Sequence, residues 1–446
     1  MSLTPEQSIE AIAKLAKSKS VAAEALIIES NNFKVSYNEG KIDNYDVAKS
    51  RSLGVRIVDG QHEGISYTES LKSEDIETAF NEAMENKQFV VADYDPQFPA
   101  QPAIKNATDY FNPSLAEVPV AEKLELAKKL ESCAKQENPK VHSLPYSNYG
   151  DVETSVWLFN TKGTNSYYKK NTCYAYAYPL CVSGEKRGMA YAAEVSRSFA
   201  DISAERIAKK SVATSLLKLT EQKPKSGNYS VVLQSKAAQT LISLVMNHLS
   251  LKAVDLKMSA LAGKLGEKIF SEKLTLVDDA ITDKGMGSRP FDAEGTKSQV
   301  TSLVDKGVLQ TYLTSFGYAK KHNLPNTGHA TRSPKSGIEI HYTNLMVSPG
   351  PNSFSDLVNM DSSVLVIDNL KGLAGVNPIS GDFSIESEGL FYRNGEFQHA
   401  AANFTLSGNL FEVLKNIEAL GNDIEPSTEN IYTPSLFVGK MSVAGA

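Results

Sequence analysis

Strand-like segments in this chain follow one another directly, while its helical segments stand apart, and that order limits what it can build. Residues 24–30, 33–37, 54–58 and 64–68 read as alternating segments, with Asp59-Gly60 as the hairpin turn between the last two. Tyr174, Tyr176 and Tyr178 alternate with Ala175 and Ala177, the period of a half-buried strand. Beyond about residue 270 short strands and turns dominate, and Asn394-Gly395 marks another hairpin. Strands in succession favour an α+β fold over βα alternation.

The helices carry their own signals. Thr4 is a good N-cap, Pro5 suits the first helical position and Gln7 completes a capping box, ahead of Ile9, Ile12, Ala13 and Ala16 on one face. A second helix starts near Ser73, with Ile76, Ala79, Phe80 and Ala83 as its buried stripe. A third shows Leu126, Leu130 and Cys133. A fourth, over about 201–219, shows Ala208, Val212, Leu216 and Leu219. A helix capped by Ser235 follows the strand at 229–233, and its stripe is Leu241, Leu244, Val245 and His248. A late helix starts after Ser407, buries Leu410, Val413, Leu414 and Ile417, and stops at Gly421.

The charged, proline- and glycine-containing stretch 221–227 is the expected linker. It divides an N-terminal α/β sandwich-like domain over 1–220, with antiparallel sheet and helices, from a β-rich, barrel-like domain with a few helices over 228–446. The chain of 446 residues has a formal net charge of −6, which argues against a nucleic-acid partner held by phosphate contacts. Its start resembles no secretory signal, no stretch is apolar enough to span a bilayer, and three cysteines make no disulfide framework. These features predict a cytoplasmic protein without a membrane partner.

No catalytic constellation stands out from the residues alone. The seven histidines include no H-E-x-x-H, and no G-x-S-x-G or Walker A motif occurs. His322 and His329 read as solvated loop histidines, His248 as a satisfied core residue, and Asp278, Asp279 and Asp283 as turn carboxylates. The cysteines read as small core residues.

Several longer strings carry a resemblance. They are GSRPFDAEG at 287–295, GVLQTYL at 307–313, NTGHATR at 326–332 and GVNPISGDFS at 375–384, with SGNL at 407–410, GND at 421–423, PSL at 434–436 and VAG at 443–445. With LGVR at 53–56 they resemble the TldD/PmbA family, once described as modulators of DNA gyrase, and its PmbA (TldE) branch in particular. The resemblance implies paired homologous subunits. In the TldD branch an H-E-x-x-x-H helix follows a Val-Val-Leu-like strand, and two histidines and a later cysteine hold the metal while the glutamate acts as general base. Counted from Val231, Val232 and Leu233, those helical positions fall on Ser243, Leu244 and His248, and no cysteine follows Cys181.

The implied role is a subunit with no catalytic residues or metal of its own, inactive alone. It would pair with a TldD-like chain that carries zinc, and the complex would degrade or mature unfolded peptides. A homodimer is the alternative assembly when the partner is absent. The polar glycine loops, with Asn326, Arg332, Asn377 and Asp382, are the expected lining of the peptide path. Two rival readings are a metallopeptidase in its own right with a divergent site around His248, and a regulatory or binding protein without proteolytic connection.

Overall fold

The structure, a computed structural model, describes every residue except Met1, Asn106, Lys284 and Pro426. The fold is α+β. Its first half is built on strands β1 (Ala22–Asn38), β2 (Lys41–Asp59), β3 (His62–Thr68), β4 (Val141–Asn160), β5 (Asn165–Ser183), β6 (Lys186–Met189) and β7 (Ala192–Ser196). They form one antiparallel sheet in the order β3-β2-β1-β4-β5-β6, with β7 also on β5.

All the long helices of this half cover the same face, where odd-numbered residues of β1 (Ala23, Ala25, Ile27), β2 (Leu53, Val55, Ile57) and β5 (Cys173, Ala175, Ala177, Cys181) are apolar. Helices α1 (Pro5–Lys19) and α2 (Ser73–Asn86) pack on Ala23, Ala25, Ile27, Leu53, Val55 and Ile57. A short α3 (Pro113–Ala116) precedes α4 (Val120–Glu137), which with α5 (Ala204–Lys218) covers Cys173, Ala175, Ala177 and Cys181. The capping box of α1 is present, with Thr4 accepting from the Gln7 N–H, and α2 buries the four residues of its expected stripe.

The other face of the sheet meets the second half of the chain. Leu26, Val156, Leu158 and Tyr168 pack there on Phe291, and Gly54 lets the Pro334 carbonyl approach where a Cβ would collide.

The second half centres on a barrel. Strand β8 (Gly227–Leu233) runs parallel to Ser363–Lys371 and antiparallel to Leu436–Ala444. Asp382–Arg393 and Glu396–Asn409 continue from Ser363–Lys371, and Thr405, Leu406 and Ser407 pair with Ala444, Val443 and Ser442 to close five strands on themselves. Closure leaves the barrel without an end strand. Helix α6 (Ser235–Met246) shares the core of Val231, Leu233, Leu365 and Ile367 through Ala238, Leu241, Ile242 and Val245. Residues 221–227 lie against the barrel: Gln222 exchanges backbone bonds with Ala400 and Ala402.

Three expectations need correction. Residues 24–30 and 33–37 belong to one 17-residue strand, because pairing with β2 and β4 on both sides carries it through Asn31 and Asn32. Ser407 lies in a barrel strand, so the late helix is only Leu410–Lys415, capped by Asn409, and Gly421 follows the short strand Ala419–Leu420. Ser235 does not cap α6; its hydroxyl donates to the Thr433 carbonyl at 2.8 Å.

Candidate functional site

Helix α6 presents two faces. One is locked in the barrel core. The other, Lys236, Gln239, Thr240 and Ser243 at i, i+3, i+4 and i+7, lines a cavity of about 550 Å³. Opposite it stands β5. Its small residues point to α4 and α5, so its tyrosines face the cavity: Tyr178 here, and Tyr174 and Tyr176 in an adjoining cavity of about 440 Å³. Tyr191, Val195 and Thr428 line both cavities, which makes them one groove between the sheet and the barrel.

The walls are braced by polar contacts. Tyr191 lies 5.6 Å from the Tyr176 ring, and Lys236 Nζ sits 5.0 Å over Tyr191. Gln239 accepts from Ser427 at 3.1 Å, and Lys210 pairs with Glu425 at 2.6 Å. Burial pushes the phenols of Tyr174, Tyr176, Tyr178 and Tyr191 up, so they remain protonated donors at neutral pH. Aromatic faces with hydroxyl tips can hold extended polypeptide through both apolar contact and hydrogen bonds.

Ser243, Leu244 and His248 do not converge. Ser243 faces the groove, but its hydroxyl donates back to the Thr240 carbonyl at 2.7 Å. Leu244 is half-buried against the barrel core. His248 lies past the end of α6, in a 3₁₀ turn, 1% exposed. Its Nδ1 accepts the Ala260 N–H at 3.2 Å, and its ring meets Phe411 edge-on at 4.9 Å. Burial lowers its pKa, so it is a neutral imidazole with the proton on Nε2. A hydroxyl turned into its own helix, an alkyl chain and one engaged imidazole do not fit zinc, which takes about three protein nitrogen, sulfur or carboxylate ligands. Among the described residues no three His, Cys, Asp or Glu side chains gather where they could hold one ion.

The residues expected along a peptide path sit elsewhere and do not line the groove. Asn326 folds onto its own loop, accepting from Gly328 N–H at 3.1 Å and donating to Thr296 at 3.0 Å. Asn377 accepts from the N–H groups of Ile379 and Ser380 within an exposed turn, and Asp382 accepts from Ser380 of that turn and from Asn409 at the end of the neighbouring barrel strand. Arg332 has a fully buried guanidinium, 2.6 Å from the equally buried Glu24 of β1. Arg56 of β2 approaches the same carboxylate oxygen at 3.3 Å, reaches Glu63 at 3.6 Å and donates to the Tyr94 hydroxyl at 3.1 Å. These groups form a polar layer joining the sheet to the second half.

His329, read as a solvated loop histidine, and Asp278, read as a turn carboxylate but lying in the strand Leu276–Asp279, are also buried. His329 and Asp278 are both 0% exposed, with His329 Nε2 3.1 Å from the carboxylate and Nδ1 2.9 Å from the Thr327 hydroxyl. Burial would raise the Asp278 pKa, but His329 and Thr343 outweigh it and hold the carboxyl below its usual value.

Three family models match in series: PmbA/TldA metallopeptidase domain 1 over residues 23–87, the central domain over 113–219 and the C-terminal domain over 226–445. Metalloprotease PmbA of Escherichia coli O157:H7 is 26% identical across 99% of this chain and 96% of its own. A Thermotoga maritima MSB8 structure, described as a candidate modulator of a DNA gyrase, matches with a TM-score of 0.89 at 26% identity over 99% of this chain and all of that one. TldE from Thermococcus kodakarensis matches with a TM-score of 0.85, over 98% of this chain and 100% of that one; at 19% identity it speaks to the fold alone. With its two halves matched in order and full-length relatives on both counts, the chain belongs to the PmbA/TldD metallopeptidase family.

Proposed function

We propose that this chain is the peptide-holding, non-catalytic subunit of a cytoplasmic TldD-type metallopeptidase, completed by a TldD-like partner that carries the zinc. The observation that carries the reading is an open, tyrosine-walled groove beside a helix on which the family's first histidine and its glutamate fall on Ser243 and Leu244, with an engaged His248 just past its end. The groove offers an unfolded peptide aromatic faces and protonated hydroxyls, while the helix beside it has neither a base nor a ligand set to activate water. Alone, the chain would exist as a monomer or homodimer without turnover.

Co-expression with a TldD-like chain tests this. The expected result is cleavage of an unstructured peptide by the mixture only, with stoichiometric zinc in the partner and none in this chain. Chelator-sensitive cleavage by the purified chain alone would refute it and favour the second reading, a metallopeptidase in its own right, which the name of the E. coli relative supports.

A further inference from the structure

The part of the groove farther from α6 carries a charge pattern that a channel for neutral polypeptide does not need. Lys170 stands on β5 on the same face as Tyr174 and Tyr176 and lines this cavity, near Met286 and Thr154. Its ammonium group has no ion-pair partner among the described residues, whereas neighbouring Lys169 pairs with Glu153 at 3.0 Å. Two more cations press on it from behind the wall. Arg197, just past β7, donates Nη1 to the carbonyls of Tyr110 and Asn171 at 2.9 and 3.2 Å and Nη2 to that of Gly285 at 2.7 Å. Arg289 donates to the Ala330 carbonyl at 3.1 Å. The Nε atoms of both arginines are buried without an acceptor. Asp283 and Asp292 are the carboxylates whose charge reaches Arg197 and Arg289, and neither forms an ion pair with them.

Three converging cations without a paired acid are costly to assemble, and in a chain of net charge −6 acids are not scarce. The cost shows on Lys170. Burial first, and then the charges of Arg289 and Arg197, pull its ammonium down to about 8. An anion arriving from the groove would relieve this. It would meet one direct donor, Lys170, within the field of two fixed guanidinium groups, in a setting where charge-assisted bonds are strong. Continuity with the tyrosine wall narrows the choice of anion: the seat opens into the same groove, and the one anion that every peptide carries, whatever its sequence, is its C-terminal carboxylate.

We infer that Lys170, backed by Arg197 and Arg289, seats the C-terminal carboxylate of a peptide lying along the tyrosine wall. This rests on the reading of the groove as a peptide channel. The arginines act through their charge, as positioning residues, and Lys170 makes the contact.

The test uses the full chain and three short unstructured peptides labelled at the N-terminus: a free acid, its C-terminal amide, and an amide whose last residue is aspartate. The free acid is expected to bind about tenfold tighter than either amide, and to lose that advantage as pH rises above about 8, where Lys170 loses its proton. Lys170→Met should bring the acid down to the amide's affinity, and Lys170→Arg should restore the preference, which a folding defect would not do. Equal affinity of acid and amide for the wild-type chain overturns the inference but leaves the channel standing. Aspartate amide binding like the free acid overturns the assignment to the chain terminus. Preference surviving in Lys170→Met overturns the role of Lys170. If no peptide binds at all, the channel reading falls and this inference with it.

Discussion

Replacing Arg332 with methionine decides whether that residue is a structural pin or a substrate contact. Arg332 and Glu24 are both fully buried and 2.6 Å apart, so the variant leaves a carboxylate deep in the junction between sheet and second half. Removing one member of a buried pair costs about 3–5 kcal/mol. Arg56 stands 3.3 Å from the same oxygen and offsets part of the loss, although it is shared with Glu63 and Tyr94. Methionine also keeps the packing of the arginine stem. The expected loss is therefore near the lower end, about 3 kcal/mol. At a urea dependence of about 3 kcal/mol/M, the unfolding midpoint falls by about 1 M. Adding Glu24→Gln removes the orphaned charge, so the double variant should be more stable than Arg332→Met alone. The reasoning fails if Arg332→Met unfolds within about 0.5 kcal/mol of wild type yet no longer binds peptide, for then Arg332 lies on the path that its loop suggested.

The remaining expectations concern pH, close contact and metal. Burial, and then the charge of Asp292, push the Glu294 carboxyl up to about 8 despite Arg56, so the folded chain keeps a proton that the unfolded chain releases near 4.5. Stability should fall as pH rises from about 4.5 to about 8, by up to about 1.4 kcal/mol per pH unit, and Glu294→Gln should flatten that slope in urea titrations; parallel curves would contradict it. Gly54→Ala puts a Cβ into the Pro334 carbonyl and should cost about 1–3 kcal/mol or more, whereas an unchanged melting temperature would mean that the sheet and second half do not meet this closely. His248→Leu leaves the Ala260 N–H without its acceptor and should cost about 1–3 kcal/mol, while chelator leaves the wild-type midpoint where it was; a chelator-induced drop would place a metal at His248.

What could be read from the sequence was what is fixed locally. The Thr4 cap, the stripe of α2 and the Asn394-Gly395 turn depend on neighbours a few residues away, and the structure has them. The alternation of Tyr174, Tyr176 and Tyr178 revealed a half-buried strand and nothing of the groove, because the opposite wall is α6, reached only through the tertiary fold. The burial of Arg332 and His329 stayed hidden for a related reason. Both sit in a polar glycine-containing string that looks solvated, and their partners, Glu24 and Asp278, are far away in sequence. Lys170 gave no signal at all, since a lysine beside Lys169 in a tyrosine-rich strand reads as an exposed charge.

Barrel closure also shapes how this chain reaches its fold. Strand β8 has its parallel neighbour at Ser363–Lys371 and its antiparallel one at Leu436–Ala444, with Gly227 facing Val443. Such non-local pairing gives a high contact order, which slows folding. During synthesis both edges of an apolar Val231-Val232-Leu233 run wait, unpaired, until Ser363–Lys371 and then Leu436–Ala444 have been made. Chaperone dependence and inclusion-body formation on rapid overexpression are the natural outcome, and slowing translation upstream of residue 436 should worsen both.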